Sequence, residues 1–200
     1  MMSTPAHATA LHALPDEPPI DRDAAMMAVA DLLAALGFDP DEGDLVDTPR
    51  RVADAFIEMT TPEPFEMTTF ANDDGYDEPV VVRGIPFVSL CRHHLLPFRG
   101  TAVVAYVPGE RLVGLSKLAR VVAHHARGLQ VQESLTVQIA RTLETALEPR
   151  GVGVVVEAEH LCMSARGVRS ETAVTTTTAF RGTLAADLAL RARFLGARAV

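Results

Sequence analysis

Apolar positions change period twice along this chain, and the changes mark its elements. From Asp21 onward, Met26, Val29, Ala30, Leu33 and Leu36 recur at helical spacing, with Gly37 placed as a stop. A second helix is expected from Thr48 as N-cap, with Pro49 at its first position and Val52, Phe56 and Met59 on the inward stripe. Residues 61 to 79 are rich in proline and acid and read as a connector. The period then shortens to that of strands. Val80 to Val88 and Thr101 to Val107 are rich in β-branched residues, and the Pro108-Gly109 turn precedes Leu112 and Val113.

Helical spacing returns at Ser116, with Leu118, Val121 and Val122 on one face. A longer helix is expected from about Val131 to Leu147, where Leu135, Ile139, Leu143 and Leu147 repeat at steps of four, and Gly151 ends that run. Val152 to Glu159 and Thr172 to Phe180 then read as strands, and Leu184 to Phe194 as a closing helix. This order predicts an α+β domain with a four-stranded antiparallel sheet, a helix pair between its second and third strands, and one face covered by that pair. Three segments are expected: a flexible leader over 1–19, an N-terminal helical region and connector over 20–79, and the main domain over 80–200.

Composition narrows the function. With 200 residues and 48% apolar content the chain can bury one proper core. No apolar run approaches the roughly 20 residues that span a bilayer, so no membrane partner is expected. A formal charge of −8 argues against nucleic acid, whose binding needs basic surface. An anionic ligand must therefore find a local cationic site. Lys117 is the single lysine, and every other cation among the 18 basic residues is arginine.

The candidate chemistry centres on the two cysteines, Cys91 and Cys162, each beside histidine in Cys91-Arg92-His93-His94 and His160-Leu161-Cys162. Thiolate and imidazole are zinc's preferred ligands, and Cys91, His94 and Cys162 supply three, leaving one position for water as in catalytic sites. A disulfide and a pair of inert buried thiols are the competing readings. No basic and apolar export signal precedes the domain, so a reducing, cytoplasmic setting is expected, and inert thiols would not explain a histidine beside each cysteine.

His93 and His160 then remain as imidazoles beside the metal, suited to acid–base work near neutral pH or to orienting a ligand. His7 and His12 lie in the leader, and His124-His125 reads as a solvated or half-buried helical pair. Gly114-Leu115-Ser116-Lys117 opens a helix whose free amides, with Lys117 and Arg120 on one face, form a candidate anion clamp; plain capping by Ser116 is the alternative. Gln132-Glu133 is an amide and a carboxylate able to read the N–H edge of guanine, or simply a polar pair at a helix start.

Taken together, Thr48 to Ala53, Cys91 to His94, Gly114 to Leu118, Val131 to Glu133, His160 to Cys162, Ala165 to Gly167 and Thr175 to Thr178 closely resemble the type I GTP cyclohydrolase family. The segment Ala126 to Gln130 departs from that pattern in lacking an Arg-Pro pair. The resemblance implies conversion of GTP and water to 7,8-dihydroneopterin triphosphate and formate, at the head of folate and pterin synthesis, by a hydrolase acting on cyclic amidines. It implies zinc on Cys91, His94 and Cys162, and catalytic His93 and His160. It also implies a triphosphate site from Ser116, Lys117, Arg120 and Arg166 with Arg51 from a neighbouring subunit, and guanine recognition by Gln132 and Glu133. The implied fold is the tunnelling fold, whose sheets join between subunits into a barrel, in homodecamers of two pentamers with active sites at subunit boundaries. Two alternatives stay open: a paralogue with the same chemistry that feeds a deazapurine pathway, and a non-catalytic purine-binding subunit.

Overall fold

The structure, a computed structural model, describes residues 8–11 and 19–196. They fall into two compact units, a helical one within 19–61 and a sheet-based one that takes in 8–11 and 62–196.

In the helical unit, α1 (Arg22–Ala35) is capped by Asp21, whose carboxylate accepts from the Ala24 amide. The expected stripe of Met26, Val29, Ala30 and Leu33 is half-buried, and Leu36 is exposed. α2 (Thr48–Thr60) starts where expected, with Pro49 in its first turn, but its cap is Asp47 rather than Thr48. Asp47 makes no capping bond; its carboxylate is held by Arg51 at 3.0 Å instead. Arg22 and Asp54 tie the two helices together at 2.7 Å.

The sheet unit holds two sheets. The larger runs β6-β3-β4-β7-β8, built from β3 (Val80–Cys91), β4 (Pro97–Val107), β7 (Gly151–His160) and β8 (Thr175–Gly182) in antiparallel pairing. These are the four expected strands. A two-residue strand, β6 (Leu129–Gln130), adds to the β3 edge in parallel and makes the sheet mixed. The smaller sheet, β1-β2-β5, joins β1 (Ala8–Leu11), β2 (Phe65–Ala71) and β5 (Arg111–Val113).

Two of those strands lie where none was expected. β2 sits in the connector, where prolines and acids mask a period of two: Phe65, Met67 and Thr69 are buried while Glu66, Thr68 and Phe70 are exposed. β1 lies in the stretch read as a leader, paired with β2 from Ala8 opposite Thr68 to Leu11 opposite Phe65. The remainder of that stretch, up to residue 18, is outside the described residues.

Between β4 and β7 come α3 (Leu115–Ala126) and α4 (Gln132–Leu147), the expected helix pair. Leu118, Val121 and Val122 of α3 and Leu135, Ile139 and Leu143 of α4 are fully buried against Val104, Tyr106, Val152, Val154 and Val156 of the sheet. The opposite face is not bare. Ala105, Val107 and Val155 pack there with Leu184 and Phe194 from the end of the chain. The single closing helix that the pattern suggested is broken into α6 (Thr183–Ala186) and α7 (Leu188–Gly196), because Asp187 turns extended and its carboxylate caps the amides of Ala189 and Leu190. A short helix, α5 (Leu161–Ser164), follows β7 directly.

Register matters most in β3. Val82 pairs with Val104 but Ile85 pairs with Ala102, so one extra residue is accommodated as a bulge, with Gly84 at φ +65°. The bulge switches parity. Val80 and Val82 pack on the helix-covered face before it, and Ile85, Phe87 and Cys91 do so after it.

His125 on α3 is bonded through Nε2 to the Thr142 hydroxyl of α4 at 2.7 Å. Burial pushes its pKa down from 6.5 to about 4, with a smaller push from His124. The unfolded chain therefore binds the proton more readily, and this contribution to stability is full above pH 6.5 and is lost as pH falls towards 4. Denaturant unfolding from pH 7 to 4 should show stability declining across that window, with a shallower decline in His125→Asn. An identical slope in the variant would contradict the assignment.

Candidate active site

β3 ends at Cys91, and the chain reverses within a few residues to enter β4. The Cys91 carbonyl accepts from the amides of His94 at 3.3 Å and Leu95 at 2.8 Å, and the Cys91 amide donates to Leu96 O at 2.9 Å. Leu95 takes a left-handed conformation, φ +54°, to close this turn. Such a conformation costs a β-carbon-bearing residue ~1–3 kcal/mol, so the fold over-determines it here. The consequence is chemical. The turn brings His94 Nδ1 to 3.8 Å from Cys91 Sγ.

Cys162 comes from the other side of β4. Phe98 pairs with His160 across β4 and β7, and α5 then carries Cys162 back towards the β3–β4 turn. The ligand atoms of Cys91, His94 and Cys162 all lie within 4.8 Å of one another. Zn–S bonds of about 2.3 Å and Zn–N bonds of about 2.0–2.1 Å give tetrahedral ligand–ligand edges near 3.6 Å, so the donor set fits with small adjustments. Burial raises the Cys162 thiol pKa, and the adjacent Cys91 raises it further, while Arg166 acts in the opposite sense. Two thiols this close resist ionising together without a cation between them.

His160 is held on two sides. Its ring stacks flat on Phe98, with centroids 4.6 Å apart and planes 1° from parallel. Its Nε2 lies 2.6 Å from Gln132 Oε1. Burial lowers its pKa, and the Glu133 carboxylate opposes that shift. His93 is exposed, its ring 6.3 Å from that of His94 and nearly perpendicular to it.

The remaining candidates are placed as follows. Ser116, Lys117 and Arg120 sit in the first turns of α3, whose cap is Gly114 rather than Ser116. Gly114 makes no side-chain capping bond, so the Ser116 hydroxyl is not spent as the expected cap. Arg166 is exposed just past α5, close enough to Cys162 to affect its thiol. Glu133 is exposed in the first turn of α4. Arg51 belongs to the helical unit and is paired with Asp47. Gln132 is buried. It is 2% exposed, and its amide nitrogen donates to Val156 O, Thr175 O and Thr177 Oγ1 at 3.1, 2.9 and 3.2 Å. Its side chain is thus turned into the fold.

Phe98 and Thr177 touch His160 and Gln132, and neither was a candidate site residue in the sequence. Phe98 follows the Cys-x-x-His turn closely enough to have been a candidate, but nothing local marks it as the platform for a ring 62 positions on. A cavity of about 750 Å³ lined by Asp77, Arg150, Asp187 and Arg193 contains none of the cysteines or histidines.

Comparison with known proteins finds relatives over most of the chain. A family model described as GTP cyclohydrolase I matches residues 25–198. GTP cyclohydrolase 1 of Mycobacteroides abscessus is 52% identical over 182 residues, covering 88% of each chain. That of Aquifex aeolicus is 49% identical over 176 residues, covering 88% of this chain and 96% of its own. Among solved structures, the apo form of the archaeosine synthase QueF-Like covers 52% of this chain and 94% of its own, at 18% identity and a TM-score of 0.43, too loose a match to bear on the site. A family match over most of the length, in a fold that gathers two cysteines and a histidine from separate elements, leaves one conclusion: the chain belongs to the GTP cyclohydrolase I family.

Proposed function

We propose that this chain is a zinc-dependent GTP cyclohydrolase I, converting GTP and water to 7,8-dihydroneopterin triphosphate and formate. The observation that carries the reading is the convergence of Cys91, His94 and Cys162 in a chain about half identical to enzymes of that name. Those three residues would hold the zinc. When bound, it supplies a Lewis acid that brings the acidity of water into the neutral range.

The chain's own groups do the rest. His160, held flat on Phe98, and His93, exposed beside His94, are positioned to give and take protons during opening of the purine's five-membered ring and rearrangement of the ribose. Glu133, exposed in the first turn of α4, is the acceptor for guanine N1 and N2 hydrogens. Ser116, Lys117, Arg120 and Arg166 form the cationic site an acidic protein needs for a triphosphate, and Arg51 is contributed by a neighbouring subunit. Among the described residues β8 ends the larger sheet with an unpaired edge, which suits continuation into a second copy and the decamer of two pentamers. Among the described residues no helix is long and apolar enough to cross a membrane, which fits a cytoplasmic enzyme.

The direct test is a zinc-loaded preparation incubated with GTP. One formate per pterin product is expected; substrate turnover without formate would overturn the reading. Replacing Cys162 with Ser should remove stoichiometric zinc, so a full complement by metal analysis in that variant would contradict the ligand set. Lys117→Ala should weaken GTP roughly 10- to 100-fold, the scale of a lost hydrogen bond to a charged group, and leave guanosine nearly unchanged. Equal weakening of both, measured by calorimetry, would mean that Lys117 acts on the scaffold and not on phosphate.

A further inference from the structure

We infer that Gln132 is a positioning residue that locks His160 in one orientation as the Nε2–H tautomer, with the ring's lone pair on Nδ1. The inference rests on the proposal that His160 is a catalytic imidazole. It assigns Gln132 a role other than the reading of guanine by its side chain.

The argument starts from what each end of the carboxamide faces. One end is within hydrogen-bond reach of two backbone carbonyls, Val156 O at 3.1 Å and Thr175 O at 2.9 Å. Carbonyls only accept, so the nitrogen must be at that end; the reverse orientation would set oxygen against oxygen in a buried site. Thr177 Oγ1 at 3.2 Å receives the remaining share of the NH₂ group, and Thr136 Oγ1, 2.6 Å from Thr177 Oγ1 and 2.8 Å from Gln132 O, ties the threonine back to α4. Oε1 is therefore left pointing at His160 Nε2, 2.6 Å away. An amide oxygen cannot donate. The hydrogen of that bond must come from the imidazole.

A neutral imidazole with hydrogen on Nε2 has its lone pair on Nδ1. Phe98 fixes the plane of the ring by stacking and Gln132 fixes its rotation, so His160 has no freedom to exchange one nitrogen for the other. Gln132 and Phe98 thus hold His160 in one orientation and one tautomer. The run of threonines at 175–178 finds a use here: its two inward members, Thr175 through its carbonyl and Thr177 through its hydroxyl, hold the carboxamide the right way round.

Two measurements test this on the zinc-loaded full-length protein. Solid-state ¹⁵N spectra of histidine-labelled protein, with His160 identified by subtracting the His160→Asn spectrum, should show a protonated Nε2 and a bare Nδ1 for the neutral ring. A proton on Nδ1 overturns the inference, and this arm needs no variant at Gln132. Steady-state kinetics of Gln132→Met should show kcat lowered roughly 10- to 100-fold, the range for partners that orient a reactive group, with KM for GTP changed less than about threefold. ITP, which lacks the guanine 2-amino group, should lose turnover in the same proportion. A raised KM confined to GTP would restore Gln132 as a guanine reader and overturn the inference. An unchanged kcat in Gln132→Met beside a slow His160→Asn overturns it alone, whereas full turnover by His160→Asn overturns the catalytic reading of His160 on which it rests.

Discussion

The site depends on one constraint, the register in which β4 pairs with β3 on one side and β7 on the other. Side chains alternate across a sheet, so a slip of one residue would turn every inward group outward. In the observed register Phe98 faces His160, Ala102 faces Val156 and Val104 faces Val154, which puts an imidazole at the end of a row of core residues. The β3 side is phased by the bulge at Gly84. Without that extra residue Cys91 would fall on the face opposite the helices, and His94, set by the turn that follows, would move with it. Gly100 marks how close the strands come, because a β-carbon there would run into the Glu157 carbonyl.

Given that register, the chemistry divides by depth. Cys91 is buried and Cys162 half-buried, both at the end of the sheet, while His93, Arg166 and Glu133 are exposed around them. Between the two layers, Gln132 and Phe98 carry no reactive group themselves but fix one that does. Buried polar groups of this kind are costly unless satisfied, and Gln132 is satisfied at both ends of its amide. Such a group is therefore a rigid support.

Much of this was legible in the sequence, for physical reasons that differ from part to part. α3 and α4 declare themselves because a buried helical face repeats at a fixed step, and the four long strands because β-branched runs are bounded by turn residues. Cys91, His94 and Cys162 were legible because few residue types bind zinc and each cysteine has a histidine within three positions. β2 was hidden by composition, since prolines and acids at its exposed and flanking positions outweigh an alternation only three buried residues long. The break at Asp187 was hidden because a capping carboxylate inside an apolar run resembles any other polar residue. The hold of Gln132 on His160 was hidden for a deeper reason. Its partners lie 24 to 45 residues away and include two backbone carbonyls, which leave no trace in a sequence.

The central claim is that two elements separated by β4, the β3–β4 turn and α5, meet at a single metal. X-ray absorption at the zinc K edge of the loaded, full-length protein tests it most directly. The account predicts two sulfur neighbours at about 2.3 Å and nitrogen or oxygen neighbours at about 2.0–2.1 Å in a four-coordinate shell. A shell with one sulfur, or none, would mean that Cys91 and Cys162 do not share the ion, and would contradict it.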